Sequence, residues 1–183
     1  VSGHLNYSFT NNDMSNKHKK EVEHLNYSNN IKGYYASQIE LDLAMNHLIK
    51  ELESKQLLDD TLIIIAPDHY PYGLSEKQIN EVSKINRKDK FELYHTSLIM
   101  YNPTIEKTII DKVTSGIDIL PTIYNLFGVE YDSRLFMGKD VFSDSNNVVI
   151  FSDRSWISDY GKYNSITKKF IKTINNKVTK EYI

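Results

Sequence analysis

Thr61-Leu62-Ile63-Ile64-Ile65-Ala66-Pro67-Asp68-His69 is the stretch on which the fold turns. Thr61 to Ala66 is uniformly apolar or β-branched, and such a short run reads as a strand covered on both faces, as in a parallel sheet. Asp59-Asp60 bounds it on one side and Pro67 on the other. Two chemically capable residues, Asp68 and His69, follow at its carboxyl end. In open α/β sheets ligands gather outside the carboxyl ends of the strands. A carboxylate oxygen and an imidazole nitrogen are good ligands for a divalent cation, and placement on a strand end fixes their separation. The same dipeptide also has a plain reading, an Asp capping the next turn beside a surface His.

Upstream, Leu41, Met45, Leu48 and Leu52 recur at helical spacing and predict an amphipathic helix from about Tyr34 to Gln56, with Asp42 near its middle. Residues 8–32 are rich in Asn, Lys and Ser and read as a long surface loop of the kind that borders sites. Within it Lys17-His18-Lys19-Lys20 reads as solvated, since Glu21 and Glu23 follow at once. His18 and His24 in the loop, and His47 in the helix, are expected to face solvent. The pentapeptide His-Leu-Asn-Tyr-Ser occurs at 4–8 and 24–28 and is read as coincidence. Ser2-Gly3-His4 precedes all of this. Glycine allows close backbone approach to a ligand and histidine can donate to an anionic oxygen, although a loop His facing solvent satisfies the same residues.

Downstream, Ser75 with Gln78 forms a capping box that starts a short helix running to about Asn86. Thr96 to Tyr101 reads as a second buried strand, ended by Asn102-Pro103, with His95 just before it. Ile119 to Phe127 reads as a helix with Asp118 as N-cap, Pro121 in the first turn and Gly128 as its stop. Val148 to Phe151 is a third short strand, Trp156 is expected to be partly buried, and the tail from Tyr163 to Ile183 suggests a hairpin about Asn175-Asn176. The expected fold is α/β, a mainly parallel sheet flanked by helices with a C-terminal β-hairpin.

Composition sets the outer limits. With 183 residues and 40 % hydrophobic content, one domain with a real core is expected. A net charge of −2 with scattered basic residues argues against nucleic acid as a partner. The absence of cysteine rules out disulfides, thiolate catalysis and zinc-thiolate sites within these residues. No window approaches the roughly 20 apolar residues that span a bilayer, so this piece is expected to be soluble. Opening at Val1 directly into a dense motif, it reads as a piece of something longer.

Taken in order, these features resemble the lipoteichoic acid synthase and sulfatase-like family of the alkaline phosphatase superfamily. The resemblance is carried by Val1-Ser2-Gly3-His4, the helix with Asp42, Ile63-Ile64-Ile65-Ala66-Pro67-Asp68-His69, and Ser97 to Pro103 as the next strand. It continues through Ile117-Asp118-Ile119-Leu120-Pro121-Thr122-Ile123 with Leu126-Phe127-Gly128, and through Gly138-Lys139-Asp140-Val141-Phe142-Ser143, to about residue 165. It implies that Asp68 and His69 are metal ligands, that His4 contacts the phosphate of the substrate, and that Asp118 and Pro121-Thr122 are structural. It implies a divalent metal, Mn²⁺ first, with Zn²⁺, Mg²⁺ and Ca²⁺ as alternatives.

In that family the Thr or Ser nucleophile and a further acidic ligand lie upstream of the Ser-Gly-His stretch. Residues 1–183 are therefore expected to be the C-terminal portion of a single catalytic domain with an incomplete fold, inactive alone and without a catalytic nucleophile. The intact protein is expected to be a phosphoglycerol transferase or phosphodiester hydrolase at the outer face of a bacterial cell membrane. Its substrate would be a phosphodiester or lipid-linked glycerophosphate, and a membrane tether would hold it in place. An incomplete sheet would also expose an edge that invites self-association of this piece. Two other readings stand beside this one: a sulfatase-type hydrolase, and a non-catalytic binding module on the same fold. The sequence basis of the module is that Pro67, Asn6 and Ser97 depart from the family pattern.

Overall fold

A computed structural model describes residues 3–83, 86–87 and 89–173. The chain divides into two compact units, Val1–Glu106 and Lys107–Ile183. In the first, the core gathers Tyr7, Ile31, Leu74 and Ile79, with Leu5, Tyr27 and Tyr70 packed around them. Tyr7 and Tyr27, one from each copy of the repeated pentapeptide, thus meet on the same cluster.

The expected surface loop over 8–32 is instead partly helical, with α1 (Asp13–Lys17) and α2 (Lys19–Val22) packed on α3 (Asn29–Ser54). Helices this short are not stable by local propensity, so tertiary partners hold them. Asn12 caps α1 by accepting the Ser15 N–H at 2.9 Å, and the fully buried Ser15 hydroxyl donates to the Gly33 carbonyl at 2.8 Å. Gly33 must lack a side chain, since a Cβ there would stand 2.8 Å from the Tyr7 carbonyl carbon. His18 corrects its expected solvent exposure: it is 5 % exposed, its Nδ1 lies 3.0 Å from Glu21 Oε1 and its Nε2 2.6 Å from Glu40 Oε1. Lys17 joins it on Glu40. Periodicity carries no trace of such a polar anchor.

Helix α3 forms where the Leu41–Leu52 spacing placed it and begins five residues before Tyr34, at Asn29. Its buried residues are Ile31, Gly33, Ala36 and Ser37, whereas Leu41 and Leu48 remain exposed. The run at 61–66 yields β1 (Ile63–Ile65), and the second expected strand yields β2 (Ile99–Tyr101). They pair antiparallel, Ile63 opposite Tyr101 and Ile65 opposite Ile99, which corrects the expected parallel sheet. An apolar run reports a demand for burial and says nothing of strand direction. Only Ile63 of the pair is buried, and Ile99 and Tyr101 are exposed. Asn102 explains where β2 stops: its Nδ2 donates to the Asp59 carbonyl at 2.7 Å and the Thr61 carbonyl at 3.0 Å, fastening the strand end to the entry of β1.

Between the strands lie α4 (Glu76–Val82) and α5 (Lys90–Leu93). The Ser75–Gln78 capping box is present, the Gln78 N–H donating to Ser75 Oγ at 3.3 Å and the Ser75 N–H to Gln78 Oε1 at 2.9 Å. The helix ends at Val82, short of the expected Asn86. Asp89 caps α5 by accepting the Glu92 N–H at 2.9 Å.

The second unit opens with a 3₁₀ turn (Gly116–Asp118) that runs into α6 (Ile119–Leu126). Asp118 does not cap α6 with its side chain. It is buried, accepting the Ser115 N–H at 2.7 Å and the Lys139 N–H at 2.8 Å. One turn on, Thr122 donates to the Asp118 carbonyl at 2.6 Å and accepts the Val141 N–H at 3.0 Å. Gly128 ends the helix at φ +62, the left-handed stop expected there.

A four-stranded antiparallel meander follows, β3 (Val148–Ile150), β4 (Trp156–Ser158), β5 (Gly161–Asn164) and β6 (Lys169–Lys172). Ile150, Trp156, Tyr163 and Phe170 stand opposite one another across it, with Trp156 stacked on Tyr163 at 5.9 Å. Both sheets among the described residues are antiparallel. Asn175-Asn176, the expected hairpin tip, lies outside the described residues.

Candidate metal and substrate site

All the predicted site residues fall in the first unit. Beyond β1 the chain emerges into solvent, and Ala66 to His69 are exposed. The Asp68 side chain is 87 % exposed and that of His69 39 %. His69 Nδ1 lies 2.8 Å from the Tyr70 carbonyl, which can only accept, so Nδ1 donates there and the ring is oriented with Nε2 toward Asp68. That nitrogen is 3.5 Å from Asp68 Oδ1, so the two candidate donors converge. The Tyr72 ring, 4.4 Å from the imidazole centroid, supports the other side of His69. A backbone carbonyl on the far nitrogen is the usual means of fixing tautomer and orientation in a ligating histidine.

His4 is exposed, with Nδ1 3.0 Å from the Leu5 carbonyl, and its own carbonyl accepts the Asn12 side-chain amide at 3.0 Å. The residues that follow it pack on the loop that follows His69. A Cβ on Gly73 would stand 1.9 Å from Leu5 Cδ2 and 2.8 Å from the Tyr7 ring, so glycine is required for that approach. The Tyr7 phenol is pushed up by burial first, then by Tyr34, Tyr72 and the Asp68 carboxylate. The structure therefore seats the His4 and Asp68–His69 segments on one apolar cluster. Ser2 lies outside the described residues.

One carboxylate and one imidazole nitrogen facing the same space are a fitting donor pair for a divalent cation such as Mn²⁺ or Zn²⁺. Among the described residues no group of three or more His, Cys, Asp or Glu is placed to hold a metal ion. His95, 65 % exposed in its side chain, faces Glu92 at 3.7 Å, and its carbonyl accepts the Arg87 guanidinium at 2.6 Å. His24 and His47 are exposed, as expected.

The supporting residues around the pair are the ones sequence reasoning missed, chiefly Tyr7, Tyr72 and Gly73. Their signal was the segment Tyr70-Pro71-Tyr72-Gly73 directly after Asp68-His69, two aromatics beside a turn glycine.

This arrangement, a strand that ends in an Asp-His pair braced by its own loop, is found here in a chain that belongs to the sulfatase family, whose model matches residues 3–129. That span takes in His4, Asp68, His69 and the Asp118–Thr122 turn. The family has an alkaline phosphatase-like α/β fold. Over 140 residues the chain is 34 % identical to the lipoteichoic acid synthase of Staphylococcus saprophyticus, covering 73 % of this chain and 21 % of that protein. It is 30 % identical over 154 residues to the lipoteichoic acid synthase of Staphylococcus aureus (strain USA300), covering 81 % and 23 %. To lipoteichoic acid synthase 2 of Bacillus subtilis it is 27 % identical over 154 residues, covering 80 % and 23 %. The chain thus spans less than a quarter of the length of these relatives. Among the described residues no helix is long and apolar enough to cross a membrane.

Proposed function

We propose that this chain is the metal-holding and phosphate-contacting part of a phosphoglycerol transferase that acts on glycerophosphate-type phosphodiesters of a bacterial cell envelope. The observation that carries the reading is the convergence of Asp68 and His69 at the end of β1. With Nδ1 held on the Tyr70 carbonyl, Nε2 faces the Asp68 carboxylate at 3.5 Å, so one cation could take both groups as ligands. The names of the similar proteins, lipoteichoic acid synthases, supply the substrate class.

In this reading Asp68 and His69 hold a divalent cation, Mn²⁺ first, together with ligands outside these residues. When bound, such an ion stabilises an attacking alkoxide and the charge developing on the phosphoryl oxygens. His4, with Nδ1 3.0 Å from the Leu5 carbonyl, would as the imidazolium donate its Nε2–H to a phosphate oxygen. The nucleophile is assigned to a Thr or Ser outside these 183 residues, forming a covalent intermediate later resolved by an acceptor hydroxyl or water. The intact protein works at the outer face of the cell membrane on a membrane tether, and the 183 residues alone are inactive.

The test is Asp68→Asn in the intact protein. Glycerophosphate transfer falls to background while circular dichroism stays unchanged; transfer at the original rate removes Asp68 from the site.

A further inference from the structure

Next to the metal pair stands an aromatic ladder that the reading above does not use. From the His69 imidazole the Tyr72 ring lies at 4.4 Å, Tyr70 meets Tyr72 edge-on at 6.3 Å, and Tyr94 meets Tyr70 edge-on at 5.3 Å. Tyr70 is half-buried and packs on the core, whereas Tyr72 is 47 % and Tyr94 51 % exposed. Two large rings are thus held by a third in fixed orientations with their surfaces open to water.

The placement of Tyr94 is built from several directions. It is the C-cap of α5, its N–H donating to the Lys90 carbonyl at 3.0 Å. Arg87 stiffens the same segment, its Nε donating to Ser83 Oγ at 2.9 Å and its Nη1 to the His95 carbonyl at 2.6 Å. Tyr72 is fixed by the turn in which its N–H donates to the Tyr70 carbonyl at 2.7 Å. Aromatic side chains beside a few placed polar groups line many ligand sites.

The chemistry of the ladder selects its occupant. Its polar atoms are phenol hydroxyls, which donate and accept, and its faces take C–H groups. The rings carry no charge to offset that of a phosphate, and their hydroxyls and faces suit an uncharged polyol, with C–H bonds on one side and hydroxyls on the other.

We propose that Tyr72 and Tyr94 form a subsite for an uncharged polyol group, glycerol or a sugar ring, carried by the phosphodiester or by its acceptor. The assignment rests on Asp68 and His69 being the phosphate-handling pair, and it adds the residues that read the organic part of the substrate.

The experiment compares three p-nitrophenyl phosphodiesters in the intact, metal-loaded protein: glycerol, glucosyl and methyl. Tyr94→Ala raises KM about tenfold for the diester whose polyol the subsite takes, and leaves methyl unchanged, with kcat unaffected. Tyr94→Phe keeps the ring on Tyr70 and raises that KM about threefold, a readout that does not depend on the Ala variant folding. Whichever of glycerol and glucosyl shows the larger rise is the occupant. Equal effects on all three diesters, or none on any, overturn the subsite. Asp68→Asn, run in parallel, separates the two claims. If it abolishes turnover of all three while Tyr94 variants discriminate none, the subsite falls and the metal pair stands; if it turns over all three normally, both fall.

Discussion

Two histidines show how much a single ring depends on its partners. His69 has the Tyr70 carbonyl 2.8 Å from one nitrogen and the Asp68 carboxylate 3.5 Å from the other. His18 has a carboxylate on each nitrogen, at 3.0 and 2.6 Å, and since carboxylates only accept, both nitrogens must carry protons. Its titration is accordingly raised above 6.5, through its hydrogen bonds to Glu40 first and then Glu21. A raised folded-state value means stability fully present below the unfolded-state value and lost as pH rises through the folded one. The melting temperature of this chain is expected to fall as pH rises from neutral through the raised His18 value, and His18→Gln to flatten that slope. Thermal unfolding across that window checks it, and an unchanged slope in the variant would remove His18 as its source. Glu21 and Glu40 are lowered by the same hydrogen bonds, Glu40 by Lys17 first, so their contribution is lost in acid.

At the scale of elements, the Asp-x-x-x-Thr spacing of 118 and 122 finds a physical explanation. The two side chains, one helical turn apart, each receive a backbone N–H from the Gly138–Val141 segment. Gly138 completes the clamp, because a Cβ there would stand 1.9 Å from the Ile117 carbonyl oxygen, a backbone atom with no room to give. Thr122→Val leaves the Val141 N–H buried without a partner and should cost about 1–3 kcal/mol. Gly138→Ala forces the backbones apart and should cost about 1–3 kcal/mol or more. Denaturant unfolding of both variants checks this, and wild-type stability in either would break the clamp. The capping box of Ser75 and the stop at Gly128 were legible because each is local, a side chain or a φ angle within one turn. The clamp was legible only as a helix N-cap and a structural motif, since its partners lie 19 and 21 residues apart. Strand direction was not legible at all, because an Ile-Ile-Ile run is the same in either sense.

Over the whole molecule, the sequence singled out Asp68-His69 as a candidate pair and misjudged what surrounds it. Asp68-His69 was legible because its strand is the most apolar run in the chain and ends where sites form. The loop over 8–32 was not, because Ser15 and His18 hold it through polar contacts that leave no period. The Leu41–Leu52 stripe foretold a helix, yet Leu41 and Leu48 stay 47 % and 42 % exposed. A stripe states that a face seeks cover without saying what covers it.

The central claim, that a carboxylate and an imidazole at the end of β1 grip a cation, is open to one direct observation. Anomalous diffraction at the manganese edge, from crystals of the intact protein grown with Mn²⁺, should show an ion bound to the Asp68 carboxylate and His69 Nε2. An ion held elsewhere in the protein, with both of these side chains turned into solvent, would contradict the account.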